Sequence, residues 1–516
     1  MALPDDIAPT PAGVPETLTT AGAADAYRRW SGEAAEVIAD YLARVDGLPV
    51  GPSVEPGWLL DRLPEHPPAE PEDFGEVLGE VGSLLEPAMV HWQAPAFHGY
   101  FPANTSWAAA FADFIAAGLA QQGMAWATSP AATELEMRML DWVAELCGLP
   151  RQFLHSDPGP GGGVIQDSAS SGTLVALLSA RERAGGRDEL HRQVVYHSAE
   201  AHSSIIKGAR IAGFRDVHIR AIATDGDLAL RVDDLAEQIR ADLAAGLLPA
   251  AVVATVGTTS TMAVDPVVAV ADLLDELFGP GGTLSGDTVS GDTVSGDTVS
   301  GDTVSGDPAP VRPWLHVDAA MAGAATICAE HRDLLDGIDR VDSYLFNPHK
   351  WWGVTFDCTT MWVADRTSML DALSITPPYL RNKATDSGTV VDFRDWQVPL
   401  GRRFRSLKIW FVLRAIGADA IAAMVRNHCA EADWLTARVD ASELWHLAAP
   451  ARLNLVCIAH RHGNDATRAA GVRLNESGDA LVTLTEVDGE AVLRLSVGSP
   501  SVAHEDVERL WSTLKS

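Results

Sequence analysis

The chain has 516 residues, of which 70 are acidic and 38 basic, and its net charge is −32. This balance argues against nucleic acids and anionic membranes as partners, because both repel an acidic protein. Five scattered cysteines without a CxxC pair predict reduced thiols, and the acidic, proline-rich start does not resemble a secretory signal, so we expect a cytoplasmic protein.

The first part of the chain is predicted to be helical. Residues 1–22 are predicted to be disordered, and 23–105 to form a helical segment. Apolar residues recur at helical spacing from Asp25 to Asp46. A proline-rich, extended stretch over 49–72 precedes a second predicted helix over 73–90, and no strand is expected before about residue 100.

Residues 106–400 are predicted to form a large α/β domain. A helix is predicted from Pro130 to Cys147, because Ser129 is a good N-cap and Gly148 follows the last turn. Beyond it, β-branched runs alternate with helical patterns, which is typical of βαβ units and a mainly parallel sheet. The predicted strands cover 194–198, 251–257 and 314–319, and the predicted helices include 173–183 and 265–278.

Residues 401–516 are predicted to form a separate, small C-terminal α/β domain. Its predicted strands are LNLVCIAH (453–460) and AVLRLSVG (491–498). The chain is predicted to close with the helix HEDVERLWSTLK (504–515).

A pentapeptide repeat interrupts the large domain at 285–308, where SGDTV occurs four times and SGDP follows. Calcium-binding solenoids repeat every nine residues and are richer in glycine, so we predict a solvated, low-complexity surface loop without chemistry. Excising 285–308 is therefore expected to leave kcat and KM near those of the intact chain. Steady-state assays of the two proteins test this, and a loss of folding or activity on excision would contradict it.

Lysine is scarce in this chain, which has 33 arginines but only five lysines. Lys350 stands in FNPHKWW (346–352), and Asp318 closes the predicted strand of HVDAAMAG (316–323). Ligands of doubly wound sheets bind at the carboxyl ends of strands, where a desolvated lysine becomes nucleophilic. A Schiff-base lysine with an acidic partner for a pyridinium nitrogen is typical of pyridoxal phosphate. Taken alone, Lys350 is better explained as an exposed lysine lying beside exposed tryptophans.

 A candidate phosphate cradle precedes a predicted helix in the stretch GPGGGVIQDSASSG (159–172). The glycine-rich run itself is GPGGG (159–163), and Ser168, Ala169 and Ser170 are predicted to fall just before the helix. Free backbone N–H groups and the helix dipole favour an anion there. The stretch lacks the GK[ST] of a nucleotide P-loop and the spacing of a dinucleotide GxGxxG, which disfavours both alternatives.

His202 follows the predicted strand at 194–198 in the sequence SAEAHSS. Two interpretations stay open for it, a hydrogen-bonded core histidine and a flat ring stacked on a planar cofactor. A metal site is not predicted, because His197 and His202 lack i,i+4 spacing and no set of cysteines or carboxylates accompanies them.

Together these motifs resemble the pyridoxal-phosphate-dependent group II amino-acid decarboxylases, in particular the aromatic-L-amino-acid decarboxylase branch. The resemblance spans nearly the whole chain after residue 24. Its ordered blocks are VEPGWL (54–59), HWQAPAFHGYFP (91–102), SPAATELEMRMLDW (129–142), GGGVIQDSAS (161–170), AHSS (201–204), TVGTT (255–259), HVDAA (316–320), NPHKW (347–351), TFDCTTMWV (355–363) and DFRDWQVPLGRRFRSLKIWF (392–411).

The resemblance implies a fold-type I, aspartate-aminotransferase-like α/β enzyme that uses pyridoxal 5′-phosphate. It implies a homodimer with active sites at the interface, in which the segment 23–105 clasps the partner subunit. The implied reaction is decarboxylation of an aromatic L-amino acid, namely tryptophan, phenylalanine, tyrosine or DOPA, to the corresponding amine and CO₂.

The resemblance also implies roles for individual residues. Lys350 would form the Schiff base with the cofactor, Asp318 would pair with the pyridinium nitrogen, and His202 and Ala320 would pack on opposite faces of the ring. Thr259 would lie near the ring. The residues implied around the phosphate are Ser168, Ala169, Ser170, Asn347 and His349.

Tyr379, in TPPYLRN (376–382), matches a family tyrosine that reaches the neighbouring active site and protonates Cα. An ordinary exposed loop tyrosine is the alternative. Family members with phenylalanine there tend towards aldehydes, so Tyr379 favours amine production. The resemblance places the substrate against a set of mostly apolar side chains, which are Trp92, Tyr100, Phe101, Pro102, Ala103, Met124 and His202.

Two positions depart from the family pattern. Met124 replaces an aromatic residue, and Met321 replaces the tyrosine of HVDAAYAG, so flexible thioethers stand where the substrate pocket is expected. The preferred aromatic substrate therefore stays open. The alternatives are an oxidative, aldehyde-forming enzyme, a decarboxylase of glutamate or diaminobutyrate, a non-catalytic dimeric scaffold, and a nucleotide-binding protein.

Overall fold

The computed structural model of the chain describes residues 20–52, 54–279, 311–375 and 390–515. The repeat at 285–308 and Tyr379 lie outside the described residues. The first helix begins at Thr20, inside the segment 1–22 that is predicted to be disordered, so that prediction is wrong for its last residues.

The N-terminal segment is helical but buries little of its own surface. Helix α1 (Thr20–Arg44) confirms the predicted periodicity, and helix α2 (Phe74–Glu80) begins where Asp73 accepts hydrogen bonds from the backbone of its first turn. A π turn over Val81–Leu85 and a 3₁₀ turn over Glu86–Ala88 follow α2. The predicted single helix over 73–90 is therefore three short pieces, and Pro87 supports the break because it lacks a backbone N–H.

The large domain is built on a seven-stranded sheet. Its strands are β1 (Gly162–Gln166), β2 (Gln193–Ser198), β3 (Ile219–Ile222), β4 (Leu248–Thr255), β5 (Trp314–Asp318), β6 (Ser343–Phe346) and β7 (Thr359–Val363). Their order across the sheet is β1-β7-β6-β5-β4-β2-β3. Only β7 runs antiparallel to its neighbours, β1 and β6, so the predicted mainly parallel sheet is confirmed.

Helices cover both faces of this sheet. They are α3 (Trp107–Leu119), α4 (Pro130–Cys147), α5 (Ala169–Arg183), α6 (Ser204–Ala212), α7 (Val232–Ala244), α8 (Val267–Phe278), α9 (Pro348–Trp351) and α10 (Thr367–Leu373). The predicted bounds of α4 are confirmed, and α5 begins four residues before the predicted 173–183.

The central strands are buried on both faces. Along β4, Ala251 and Val253 pack into one apolar cluster, and Val252 and Ala254 pack into the other. Successive side chains of a strand point to opposite faces, so this split follows from the two-residue period. The near-continuous apolar run of β4 is what a strand covered by helices on both sides requires.

The C-terminal part contains a second, smaller sheet. Its strands are β8 (Trp445–Leu447), β9 (Leu455–His460), β10 (Thr483–Val487) and β11 (Glu490–Ser496), all antiparallel in the order β10-β11-β9-β8. The helices of this part are α11 (Ser406–Ala415), α12 (Ala418–Asp440), α13 (Asn464–Ser477) and α14 (His504–Lys515). The two predicted strands and the predicted last helix are confirmed. Helix α11 packs on α3 and α4, so residues 401–516 begin against the large domain.

The segment 97–102 is attached to the small sheet. The His98 N–H donates to the Leu481 carbonyl at 2.8 Å, and the Ser496 N–H donates to the His98 carbonyl at 2.9 Å. The Tyr100 N–H donates to the Thr483 hydroxyl at 2.7 Å. The position of Phe101, the next residue, is therefore set by the small sheet.

Within this segment, His98 is buried and uncharged, since burial lowers its pKa to about 4. Between pH 6.5 and 4, His98 is protonated in the unfolded chain and neutral in the folded one. The free energy of unfolding therefore falls as the pH falls. From pH 7 to pH 5 this one histidine accounts for a loss of about 2 kcal/mol of unfolding free energy. We expect His98→Phe to reduce the pH dependence by that amount. Urea unfolding at both pH values measures it, and an unchanged difference would contradict the prediction.

Candidate active site

A cavity of about 180 Å³ lies at the carboxyl ends of the central strands. Strand β4 ends there at Thr255, β5 at Asp318, and β6 just before Asn347. All ten residues predicted to bind the cofactor line this cavity. The other lining residues are Phe101, Ser204, Thr255, Gly257 and Met321.

Asp318 supplies the buried carboxyl group of the cavity. Burial raises its pKa above the ordinary value, while the charge of Lys350 opposes the rise. Its Oδ1 accepts a hydrogen bond from the Ala320 N–H at 3.0 Å, which fixes the carboxyl group at the end of β5.

Lys350 supplies the amine of the same cavity. It lies on the single-turn helix α9, and burial lowers its pKa while Asp318 opposes the fall. Trp351 and Trp352 beside it are fully buried. The alternative of an exposed lysine beside exposed tryptophans is therefore wrong. A lysine with a lowered pKa is the nucleophilic form that carbonyl chemistry requires.

The first turn of α5 faces the cavity with free backbone N–H groups. Ser168 is the N-cap, and its hydroxyl accepts from the Ser171 N–H at 3.2 Å. Ala169 and Ser170 lie in the first turn of α5. The prediction that both residues precede the helix is therefore wrong. Gly162 and Gly163 belong to strand β1. The end of the glycine-rich run therefore lies in the sheet, and the anion cradle is the helix N-terminus.

Two further polar side chains close this end of the cavity. The Asn347 Oδ1 accepts from the Thr359 hydroxyl at 2.7 Å, which orients its amide. His349 Nδ1 lies 2.7 Å from the Cys358 carbonyl oxygen, and burial lowers the pKa of His349 to about 4. Because His349 is uncharged at neutral pH, an anion at this end would be held by dipoles and hydrogen bonds.

His202 presents a neutral ring to the cavity. Its Nδ1 accepts from the Ser204 N–H at 3.2 Å, so the ring proton lies on Nε2. Burial lowers the pKa of His202, with the charge of Asp318 opposing. A neutral ring held in one tautomer can pack flat against a planar ligand.

The cavity fits a flat, phosphorylated ring that bears an aldehyde. The Thr255 hydroxyl is buried there without a hydrogen-bond partner in the described part of the chain. A Cβ added to Gly257 would lie 2.6 Å from Ala322 Cβ, so the wall has no room for a side chain. An amine, a carboxyl group, a free hydroxyl and a helix N-terminus thus surround one narrow space, as pyridoxal phosphate requires.

Residues 56–461 match the conserved domain of the pyridoxal-dependent decarboxylases. The chain belongs to this family. Phenylacetaldehyde synthase of Arabidopsis thaliana is 38% identical over 492 residues, 93% of each chain. Tyrosine decarboxylase 2 of Narcissus pseudonarcissus is also 38% identical, covering 93% of this chain and 91% of its own. The solved structure of Oryza sativa TDC with pyridoxal phosphate and tryptamine matches with a TM-score of 0.87 and 38% identity, over 95% of this chain and 97% of its own.

Pyridoxal phosphate is therefore the cofactor of this decarboxylase, which is a carboxy-lyase of fold-type I. These findings confirm the predicted family, fold and cofactor. They argue against the nucleotide-binding and scaffold alternatives. No helix in the described ranges of this decarboxylase is long and apolar enough to cross a bilayer.

The predicted substrate residues are only partly brought to the cavity. Phe101 and His202 line it. Trp92 and Tyr100 are exposed and stack on one another, with ring centroids 5.8 Å apart. Pro102 packs against Gly498 instead.

Ala103 and Met124 are half-buried and do not line the cavity either. The Met124 carbonyl accepts from the Arg394 N–H at 2.9 Å, outside the cavity wall. Met321, named above only as a departure from the family pattern, does line it. The substrate role of the five residues that do not line the cavity therefore stays a prediction.

Arg494 is a charged residue near the cavity that was not predicted from the sequence. It lies on β11 with its guanidinium carbon 5.0 Å from the Phe101 ring centroid, and its charge lowers the pKa of Lys350. Its Nε donates to the Ser260 carbonyl at 2.9 Å, while its Nη2 is buried without a hydrogen-bond partner in the described ranges. The sequence feature that could have indicated Arg494 is a lone arginine inside the apolar strand AVLRLSVG. An arginine is seldom buried without a partner, so its position suggests a functional role.

Proposed function

We propose that this chain decarboxylates an aromatic L-amino acid to the corresponding amine and CO₂. The observation that carries the proposal is the placement of the Lys350 amine and the Asp318 carboxyl group in one cavity, beside the N-terminus of α5. The relatives that act on aromatic substrates support the aromatic class.

Different residues of the cavity would hold different parts of the cofactor. Lys350 would hold its aldehyde carbon, Asp318 its ring nitrogen, and His202 and Ala320 its two faces. The first turn of α5, together with Asn347 and His349, would hold the phosphate, with Thr259 near the ring. When bound, pyridoxal phosphate supplies a protonated ring that accepts the electron pair left as CO₂ departs.

The chain itself orients the substrate. We propose that Arg494 pairs with the substrate carboxylate, because its buried Nη2 has no hydrogen-bond partner among the described residues and a guanidinium binds carboxylates in a fixed geometry. Phe101 would pack on the aromatic side chain and exclude water. The neutral His202 ring would keep its Nε2 proton available at the same face of the cavity.

We propose, from the family resemblance, that Tyr379 of the partner subunit returns the proton to Cα. Its identity as tyrosine favours the amine over the aldehyde. Aldehyde formation is the second candidate. The phenylacetaldehyde synthase of Arabidopsis thaliana is as similar to this chain, at 38% identity, as the tyrosine decarboxylase of Narcissus pseudonarcissus.

We further propose a homodimer in which the segment 23–105 clasps the partner. None of the described side chains of α1 or α2 is fully buried, although Tyr27, Ile38 and Leu42 are apolar. Trp107, Phe111 and Leu119 add exposed apolar surface along α3. Apolar patches of this extent mark protein interfaces. The five cysteines are unpaired, which supports a reducing, cytoplasmic location.

A product assay tests the proposed reaction. Tryptophan, phenylalanine, tyrosine, DOPA and glutamate are each offered to the cofactor-loaded enzyme, and CO₂, amine, aldehyde and peroxide are measured. Amine with stoichiometric CO₂ from an aromatic substrate is the expected result. Aldehyde with peroxide would overturn the role given to Tyr379, and turnover of glutamate alone would overturn the aromatic class.

A further inference from the structure

A buried hydrogen bond joins the helix of Lys350 to the C-terminal part of the chain. Trp351, the residue after Lys350, donates from Nε1 to Nδ1 of His428 at 2.8 Å. Their rings are nearly parallel, with an interplanar angle of 2° and centroids 6.2 Å apart. Both side chains are buried, with exposed fractions of 0% and 1%. Trp351 belongs to α9 and His428 to α12, so the bond crosses between two separate elements.

This contact fixes the tautomer of His428. An indole nitrogen can only donate, so Nδ1 of His428 must be the acceptor and the ring proton must lie on Nε2. His428 also hydrogen-bonds the backbone of Ser499, for which Nε2 is the nitrogen that remains. Burial lowers the pKa of His428 to about 4, so the ring stays neutral and both bonds persist at physiological pH.

The connection continues to the segment that carries Phe101, which lines the cavity. The Ser499 hydroxyl donates to the Gln93 carbonyl at 2.8 Å. Gln93 follows Trp92 and precedes the segment 97–102, which ends in Phe101 and Pro102. Three successive hydrogen bonds therefore run from the residue beside Lys350 to the chain that leads to Phe101.

Helix α9 needs such external support. It has only four residues, and a single turn is not stable by its own hydrogen bonds. Asn104 supports one side of it, donating from its side chain to the Lys350 carbonyl at 3.0 Å. The bond from Trp351 to His428 supports another side. Without His428, the buried Trp351 N–H would lack a partner, which is costly enough to favour rotation of the ring.

We propose that His428 is a positioning residue, which holds the Lys350 helix in register with the segment 93–102, of which Phe101 lines the cavity. It acts through Trp351 on one side and Ser499 on the other, and it does not touch the substrate or the cofactor itself. The proposal rests on the cofactor-binding role given to Lys350.

Two conservative variants separate the two arms of this connection. In His428→Asn, the amide oxygen can accept from Trp351 but cannot reach Ser499. In His428→Gln, the amide nitrogen can donate to Ser499 but no acceptor faces Trp351. We expect His428→Gln to lower kcat about 10- to 100-fold and to change the visible absorption band of the bound cofactor, because small misplacements of reacting groups are costly. We expect His428→Asn to retain kcat and the band but to raise KM, because the segment that carries Phe101 is released.

Trp351→Phe is the second test, since it removes only the donor, and it should reproduce the His428→Gln result. His218→Phe is the matched control, because His218 is buried at the amino end of edge strand β3, away from the cavity. It should lower Tm without changing kcat, KM or the absorption band. Variants of His428 and Trp351 that behave like this control would overturn the proposal.

Borohydride reduction of the wild-type enzyme keeps the two proposals distinguishable. Cofactor covalently retained on Lys350, with altered His428 variants, supports both. Cofactor retained on Lys350, with unaltered variants, overturns the positioning role alone. Failure to label Lys350 in the wild type would overturn the proposed function and, with it, the positioning role.

Discussion

Lys350→Ala is expected to abolish turnover while the folded structure survives. The Lys350 amine faces Asp318 in the cavity, and burial lowers its pKa, so it is the chain's candidate for covalent attachment of the cofactor. Alanine removes that attachment and the group that would release the product. We expect kcat to fall by about 10⁴-fold or more, as when a covalent nucleophile is removed from an enzyme.

Folding should tolerate this substitution, because the charged form of the buried amine is unfavourable in the folded protein. The substitution also leaves the backbone of α9 unchanged. Activity, borohydride labelling and native mass are measured on the same preparation. Lys207→Ala is the matched control, since Lys207 is an exposed lysine on α6. Lys207→Ala should keep both activity and labelling, and activity or labelling that survives in Lys350→Ala would contradict the assignment.

The sequence could identify the centre of the site because its residues follow strand ends. Asp318 closes β5, Asn347 follows β6, and Ser168 follows β1 at the start of α5. Carboxyl ends of parallel strands meet at one edge of a sheet, so short motifs far apart in the chain converge there. The bounds of α4 were also predicted, although the Ser129 side chain makes no capping hydrogen bond and donates to Gln121 instead. Pro130 in the first turn and the left-handed Gly148 after the last turn are the local signals that hold.

Where local patterns conflicted with the tertiary structure, prediction failed. The glycine-rich run at 159–163 was included in the candidate phosphate cradle because it leads towards the predicted helix. Gly161 instead approaches the Gln152 carbonyl so closely that an added Cβ would lie 1.9 Å from it. Close packing at the start of β1, rather than a ligand, explains Gly161, Gly162 and Gly163.

Other features depend on contacts that no local pattern reveals. Arg494 and His428 come near the cavity only because the C-terminal part packs against residues 92–104 and α9. Neither residue lies in a motif with recognisable spacing. For Trp92, Tyr100 and Met124, sequence adjacency to Phe101 or family likeness suggested a place at the cavity that the single chain does not give them.

Asp318→Asn is expected to lower kcat about 10²- to 10³-fold, as removal of one preorganised charge at a reacting centre does. Asparagine has nearly the same shape and can still accept from the Ala320 N–H, so the end of β5 should keep its geometry. What is lost is the negative charge opposite Lys350. That charge now raises the pKa of Lys350 against the effect of burial, so the lysine pKa should fall further in the variant.

Asp318→Asn removes the negative charge of the side chain but nearly keeps its shape. Glu200→Gln is the control, because it neutralises a half-buried carboxyl group in the loop of His202 that does not line the cavity. If charge opposite the cofactor is what matters, Asp318→Asn loses activity with an unchanged Tm, and Glu200→Gln keeps both. A kcat within tenfold of the wild type in Asp318→Asn would show that the carboxylate does not hold the ring nitrogen, because an amide cannot keep that nitrogen protonated.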